Sequence, residues 1–401
     1  MTRPRFRPLS VIAREVNGRR VLCLKDAEGI SDRMAMLPPA IVPFFFDVFD
    51  GNHTLEEIRE EYHRRSGGDR IPEGDLEELV AHLDAALLLD SPRFREHFAA
   101  LVEEWRRLET RPASHAGGGY PAEPADLTSF LDGLYDGIEL AESPASLAAV
   151  AVPHLDLHHG GRTAAAALAG IDASFDGDTI VILGVGHQSL AQPYALTPKP
   201  FETPLGTVEV NDELFHAVVA KAGSWLLDDE YAHRGEHSVE FATVLLKHAL
   251  PDREFRILPV LCGSFHHLLE TGEPPRTDPR IGAFLESVAE EAENALVLAS
   301  VDLAHMGPYY GDEERLTPEQ LTDIETADRA ALDRLIARDG AGFFAGFGED
   351  HDARRVCGMS ALYSLVELLP EGPAGTLTGY EQTVFPEEGN TVTICGLTWE
   401  K

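Results

Sequence analysis

The feature that most constrains the fold of this chain is an alternation of apolar runs with amphipathic stretches beyond residue 126. The apolar runs are short and rich in Val, Ile, Leu and Ala, a pattern that predicts buried strands. They span Ala148–Val152, Thr179–Leu183, Phe255–Leu261 and Ala295–Ala299, and strand patterns return at Thr376–Tyr380 and Val392–Leu397. The predicted helices span Arg162–Ile171, Asp212–Ala222, Ser238–His248, Arg280–Asn294 and Thr317–Ala337. This alternation favours the α/β class, with a central sheet flanked by helices.

Residues 1–108 follow a different pattern. Strand-like runs on either side of Asn17-Gly18 predict a tight hairpin, because both residues tolerate positive φ. Helices are predicted at Pro38–Phe49, Leu55–Arg65 and Glu73–Leu89, the second opening with the capping-box pair Thr54 and Glu57. A hairpin followed by helices predicts a small helical, winged-helix-like module. Its histidines are well separated, so we expect this module to dock a partner rather than to carry chemistry.

The segment 109–125 is rich in Gly and Pro and lacks any periodic apolar pattern. Such a composition predicts a linker. The sequence therefore predicts a module at 1–108, a linker at 109–125 and a larger α/β domain at 126–401.

Charge and cysteine content exclude several function classes. The chain has 33 Lys and Arg against 68 Asp and Glu, a net charge of −35, which repels nucleic-acid phosphates. No apolar run approaches the length of a membrane span or of a signal-peptide core, so we expect a cytoplasmic protein without a membrane partner. The cysteines are scattered and form no CxxC motif, which argues against a zinc ribbon or a disulfide framework.

Histidine-bearing segments follow three of the predicted strands. His154 and His158 come after the first, in Pro153–Gly161; His187 follows the second, beside flexible glycines. Asp302 and His305 follow the strand Ala295–Ala299. Open α/β sheets bind ligands beyond the carboxyl ends of their strands, so these side chains are candidates for one site.

A fourth segment, Glu236-His237, precedes a predicted helix. The positive end of the helix dipole disfavours a histidine cation, which suits a neutral base or a metal ligand. For each of the four segments a solvated or capping role remains the alternative.

The chain carries a set of short motifs that, in their order along the sequence, resemble those of the Memo family. Within that family they are most similar to the AmmeMemoRadiSam system protein B group. The motifs are Pro153-His154 with Gly160-Gly161, Leu183-Gly184-x-Gly186-His187, Thr203-Pro204-Leu205-Gly206 with Asp212, Glu236-His237-Ser238-x-Glu240, Pro259-x-x-x-Gly263, Ser300-x-Asp302-x-x-His305-x-Gly307 and Cys357-Gly358. The resemblance covers about Ala148 to Leu397 and implies a fold similar to class III extradiol dioxygenases. The first hundred residues loosely resemble a PqqD-like winged-helix module.

The resemblance also implies a metal site that includes His154 and His187. The family pattern, as we interpret it, places a cysteine just before the histidine of the Ser-Asp segment, where this chain has Ala304. A third ligand is then expected from His158, Asp302, His305 or His237, with His158 favoured as compensation for the missing cysteine; the alternative is that metal binding has been lost.

The leading hypothesis is a mononuclear metal-dependent, dioxygenase-like enzyme of unknown substrate. His154 and His187 bind a divalent metal together with His158, Asp302 or His305, and iron is favoured over copper or zinc. His237, with Glu236 and Asp302 nearby, is expected to supply acid/base chemistry on a small-molecule or peptide substrate. Two alternatives stay open: a non-catalytic, peptide- or partner-binding adaptor that works with a radical-SAM protein, and a zinc hydrolase.

Overall fold

The structure is a computed structural model that describes residues 3–138, 146–386 and 389–401. The chain divides into two compact units, Met1–Leu108 and Glu109–Lys401. Within the described ranges, no helix has the length and apolar character needed to cross a membrane.

The first unit combines a three-stranded antiparallel sheet with helices around its own core. Its elements are β1 (Leu9–Val16), β2 (Arg19–Asp26), β3 (Met34–Leu37), α1 (Val42–Val48), α2 (Leu55–Arg65), α3 (Asp75–Ala85) and α4 (Pro92–Arg107). The predicted hairpin forms, since Asn17 and Gly18 both adopt positive φ, 51° and 72°. The predicted capping box also forms, because Thr54 and Glu57 each accept the other's backbone N–H. Strand β3 and helix α4 are described elements of this unit that the sequence reasoning missed.

The second unit is built on a mixed sheet. Its strands are β4 (Leu147–Val152), β5 (Thr179–Val185), β6 (Tyr194–Leu196), β7 (Glu209–Val210), β8 (Arg256–Cys262), β9 (Leu296–Ser300), β10 (His305–Met306), β11 (Thr376–Phe385) and β12 (Asn390–Glu400). The described strands run in the order β10-β12-β4-β9-β5-β8-β6, with β11 paired to β12 and β7 to β8. The central four, β4, β9, β5 and β8, are parallel.

Helices cover both faces of this sheet. They are α5 (Pro124–Leu134), α6 (Leu157–Leu168), α7 (Ile171–Ser174), α8 (Asp212–Ala222), α9 (His237–Ala249), α10 (His266–Leu269), α11 (Pro279–Glu291), α12 (Pro318–Ile336), α13 (Gly340–Ala345) and α14 (Met359–Leu368). Helices α6 and α9 contact each other and pack on the sheet. Helix α14 packs on β5 and β9, and helices α11 and α12 pack against α14. The predicted α/β class, a central sheet flanked by helices, is confirmed.

The parallel strands are buried on both faces, as their continuous apolar sequences require. Every residue of β4, β5 and β9 is buried. Because β9 lies between β4 and β5, the carboxyl ends of these three strands are neighbours. The segments that follow them are therefore brought together by the sheet itself.

The predicted linker at 109–125 is corrected by the structure. Arg111 and Tyr120 are almost completely buried, and the backbone of Arg111 bonds to that of Pro200 and Glu202. The Arg111 guanidinium donates to the carboxylate of Glu240, which is also buried. Glycine and proline here shape a close-fitting segment rather than a free chain, and we call residues 109–125 the strap.

This correction predicts how truncated chains behave. A chain that begins at Glu109 keeps Arg111, whereas a chain that begins at Asp126 leaves Glu240 buried without its cation. Removing one partner of a buried ion pair destabilises a protein by about 3–5 kcal/mol. We expect the first chain to unfold cooperatively in urea and the second to aggregate or to unfold at much lower urea; equal midpoints would contradict the role of the strap.

A second prediction concerns Gly184 at the end of β5. A Cβ atom there would lie 2.5 Å from Oγ of Ser238 and 2.7 Å from a methyl group of Val239, so Gly184→Ala forces β5 away from α9. We expect a loss of about 1–3 kcal/mol in the free energy of unfolding, measured by urea denaturation. Gly235→Ala is the matched control, because a Cβ at Gly235 meets no atom within 4 Å. A Gly184→Ala protein as stable as the control would argue against this packing.

Candidate metal centre

The first histidine of the site follows β4. His154 is buried, and its Nδ1–H donates to the carbonyl oxygen of Ser300 at 2.8 Å. The Oδ1 atom of Asp302 accepts the backbone N–H groups of His154 and Leu155, each at 3.0 Å. Burial lowers the pKa of His154 to about 3, although Asp302 acts in the opposite direction. His154 is therefore a neutral imidazole whose Nε2 carries the lone pair.

The second histidine follows β5 and is held by a carboxylate from α9. His187 donates from Nδ1 to Oε1 of Glu236 at 2.9 Å and from its backbone N–H to Oε2 at 3.1 Å. Glu236 is buried and caps α9 by accepting the N–H of Ser238 at 3.0 Å. Burial opposes charge on both groups, yet their mutual attraction holds the pKa of His187 well above, and that of Glu236 well below, the usual range.

The third donor is Cys357, which lies just before α14. Its Sγ atom is 3.4 Å from Nε2 of His154 and 3.6 Å from the carbonyl oxygen of Asp302. His154, His187 and Cys357 each offer one ligand atom, and these three atoms lie within 4.8 Å of one another. Burial raises the pKa of the Cys357 thiol, while His187 lowers it. Two imidazoles and a thiol thus converge from three separate segments.

The expected compensation by His158 is not what the structure shows. Shared ligation requires the segment after His154 to turn back toward that residue, but α6 begins at Leu157, with Asp156 as its cap. The carboxylate of Asp156 accepts the backbone N–H of His158 at 3.0 Å, and the exposed His158 ring packs 4.8 Å from the ring of Phe130. The helical turn therefore places His158 against α5, outside the donor groups of the described residues.

The other proposed third ligands have different surroundings. His305 lies in β10, donates from Nδ1 to the carbonyl of Leu303 at 3.0 Å and packs against Tyr310. Asp302 approaches Nε2 of His154 at 3.6 Å, but its Oδ1 is committed to backbone N–H groups. Ala304 pairs through its backbone with Thr393 of β12. The chain does have Ala304 where the family pattern was expected to place a cysteine, but the ligand atom of a different cysteine, Cys357, lies within 4.8 Å of those of His154 and His187.

His237 lies beside the three donors. Its ring centre is 5.0 Å from that of His154 and 4.7 Å from that of His187, on which it stacks. Its Nδ1 is 3.2 Å from Oε1 of Glu236, and about a third of its side chain is exposed. His187, Glu236 and His237 form a second group whose ligand atoms lie within 4.8 Å of one another. The position suits proton transfer next to a metal.

Sequence reasoning overlooked Cys357 and His115. Cys357-Gly358 was among the matched motifs, but no strand precedes it, so no position rule assigned it a role. His115 lies in the strap, and its ring centre is 5.8 Å from that of His237. The Gly/Pro composition of the strap predicted a linker, so His115 was not considered. The available signal was the acidic pair Glu236 and Glu240, one helical turn apart, because such a pair at a helix start can hold histidines from other segments.

Comparisons with known proteins show the family to which the chain belongs. The Memo-like protein family profile matches residues 111–384. A MEMO1 family protein of Aquifex aeolicus is 26% identical over 348 residues, 86% of each chain. Another, of Thermus thermophilus, is 32% identical over 322 residues, 79% of this chain and 90% of the relative. A third, of Methanopyrus kandleri, is 31% identical over 245 residues, 59% of this chain and 78% of the relative. The family match includes the strap from residue 111 onward, and the chain belongs to the Memo-like family.

Proposed function

We propose that this Memo-like protein binds one transition-metal ion through His154, His187 and Cys357 and is a dioxygenase-like oxidoreductase acting on a small-molecule or peptide substrate. The observation that carries this proposal is the convergence of these three donors at the ends of β4 and β5 and before α14. The finer assignment to the AmmeMemoRadiSam protein B group, with a docking role for the first unit, belongs to the same proposal.

The donor distances fit a metal ion. Ordinary metal–nitrogen and metal–sulfur lengths at a tetrahedral angle separate the two ligand atoms by about 3.6 Å. The distance between Nε2 of His154 and Sγ of Cys357 is 3.4 Å. These two donors therefore need little rearrangement to bind one ion, and the ligand atom of His187 lies within 4.8 Å of both.

The surroundings of both imidazoles also fit. Metal-binding histidines typically donate their other N–H to a carbonyl or carboxylate, which sets the tautomer and the ring orientation. Here His154 donates to the Ser300 carbonyl, so its Nε2 keeps the lone pair, and His187 donates to the Glu236 carboxylate, so its Nε2 is the nitrogen that would bind a metal on losing its proton.

The donor set also bears on the metal. The sequence favoured iron, for which two histidines and a carboxylate are the common mononuclear set. A cysteine in place of the carboxylate is a softer donor that favours copper or zinc, so we propose copper alongside iron. When bound, such a metal supplies redox and Lewis-acid chemistry.

The chain's own residues provide the rest of the chemistry. Glu236 orients His187 and lies next to Nδ1 of His237, which leaves Nε2 of His237 to take or release a proton. Asp302 fixes the backbone around His154 by accepting two N–H groups. We therefore assign acid/base chemistry to His237 and positioning roles to Glu236 and Asp302.

We expect His154→Ala, His187→Ala and Cys357→Ser each to weaken metal binding by more than about 100-fold, since loss of an outer-sphere partner alone costs 10–100-fold. The measurement is metal content after metal-free protein is exposed to equal copper, iron and zinc. His158→Ala and Ala304→Cys are the controls and should retain about one ion per chain. Full occupancy in Cys357→Ser, or loss in His158→Ala, would contradict the ligand set; retention of zinc alone would favour a hydrolase.

Asp302 tests the positioning role separately. Asp302→Ala leaves the backbone N–H groups of His154 and Leu155 without their acceptor, and we expect metal affinity to fall about 10–100-fold. Asp302→Asn keeps an oxygen acceptor at that place and should have a smaller effect. Competition with a chelator measures both affinities, and equal losses in the two variants would argue against this role.

A further inference from the structure

The segment that brings Cys357 to the site passes through three residues in the left-handed backbone region. His351, Asp352 and Arg355 have φ angles of 52°, 56° and 55°. Residues other than glycine rarely adopt this conformation, because it brings Cβ too close to the backbone carbonyl. Such strain persists only where the surrounding contacts hold it in place. We call residues 351–355 the left-handed turn, and it ends two residues before Cys357.

A buried carboxylate inside the turn holds its end. The side chain of Asp352 has no exposed surface, and both of its oxygens accept the backbone N–H of Val356 at 3.0 Å. The backbone carbonyl of Asp352 accepts the N–H of Arg355 at 2.9 Å. Val356 is itself buried and adjoins Cys357. The carboxylate therefore fixes the backbone directly before the thiol.

Asp352 is held in turn by His266, in the segment that follows β8. Nε2 of His266 bonds to Oδ2 of Asp352 at 2.8 Å, and Nδ1 of the same ring lies 2.6 Å from the Ser264 hydroxyl oxygen. Strand β8 pairs in parallel with β5, so their carboxyl ends are neighbours. The left-handed turn is thereby attached next to the strand end that carries His187.

The other side of the turn is attached to the segment that follows β9. The carbonyl oxygen of Arg354 accepts the backbone N–H of His305 at 2.8 Å. The Arg355 guanidinium pairs with the carboxylate of Asp312 at 2.7 Å and donates to the carbonyl oxygen of His305 at 3.2 Å. The turn is thus fixed on two sides, which accounts for the persistence of its strained backbone.

We propose that Asp352 is a positioning residue for Cys357: its carboxylate, held by His266, locks the left-handed turn and keeps the thiol beside Nε2 of His154. This role rests on the proposed function and deepens it. Asp352 lies outside the donor groups of the described residues, so it acts on the site only through the turn. Without this carboxylate the strained turn relaxes and carries the thiol away from the histidines.

A first test follows the thiol without any metal. The metal-free full-length chain is alkylated with iodoacetamide, and mass spectrometry gives the rate at each cysteine. Asp352→Ala leaves the N–H of Val356 without its acceptor, so we expect Cys357 to react at least about fivefold faster, as for one lost hydrogen bond. Cys262 and Cys395 are buried in the same unit, so their rates report general opening of the fold. The proposal is overturned if Cys357 does not gain more than these two cysteines.

Conservative and surface substitutions show whether the carboxylate acts as proposed. Asp352→Asn keeps an oxygen acceptor for Val356, so Cys357 should react within about twofold of the wild-type rate. His266→Ala removes only the group that holds Asp352, and we expect an increase of about two- to fivefold at Cys357. His267→Ala is the matched control, because His267 is the next residue and is also exposed. An Asp352→Asn chain as reactive as Asp352→Ala, or equal rates in the two histidine variants, would contradict the proposal.

A second test uses cobalt(II), whose thiolate-to-metal absorption band reports the Cys357 sulfur. We expect Asp352→Ala to bind cobalt about tenfold more weakly and with a weaker band, the low end of the cost of losing an outer-sphere partner. In a Cys357→Ser chain the same substitution should cost nothing further, because Asp352 acts through the thiol. An equal loss in that chain would overturn the positioning role. A wild-type chain that binds cobalt without the band would refute the proposed ligand set, whereas the alkylation rates still decide the role of Asp352.

Discussion

The carboxylate of Glu236, buried at the first turn of α9, is the interaction on which the candidate site depends. It caps the helix, receives the Nδ1–H and backbone N–H of His187, and lies beside Nδ1 of His237. An ion buried in this way is costly unless it is paired and hydrogen-bonded. Its partners and the N-terminus of α9 supply that compensation, which ties the end of β5, the start of α9 and two imidazoles into one unit.

Glu240 performs the same task one turn further along α9. It joins the strap to the helix through Arg111 and Tyr120 and holds His115. The two acidic side chains thus orient three histidines from three parts of the chain. Because both carboxylates are buried, small shifts of the strap or of α9 would leave charges without partners, and this cost makes the arrangement of the imidazoles stiff.

The candidate metal donors are assembled by a different principle, the order of the parallel strands. Strand β9 lies between β4 and β5, so the residues after these three strands meet at one edge. Cys357 is added by the turn before α14, where a Cβ atom at Gly358 would lie 2.7 Å from the carbonyl oxygen of Asp302. The close approach at Gly358 brings the thiol to the histidines from the other helical layer.

The sequence by itself determined the strands of five or more residues, most helices and the places where functional side chains could lie. Apolar periodicity and turn residues act locally, so β4, β5, β8, β9 and the hairpin of the first unit could be predicted. The position rule for parallel sheets likewise selected His154, His187 and Asp302.

Only the tertiary structure decided which donors meet. The capped start of α6 keeps His158 away from the site, because the hydrogen bond that the His158 backbone N–H donates to the Asp156 carboxylate favours a helical turn over the extended chain. Cys357, and His115 on a strap that had the composition of a linker, contact the site across more than a hundred residues of sequence. Contacts of that kind depend on long-range packing and on the burial of Glu236 and Glu240, which no local pattern of residues encodes.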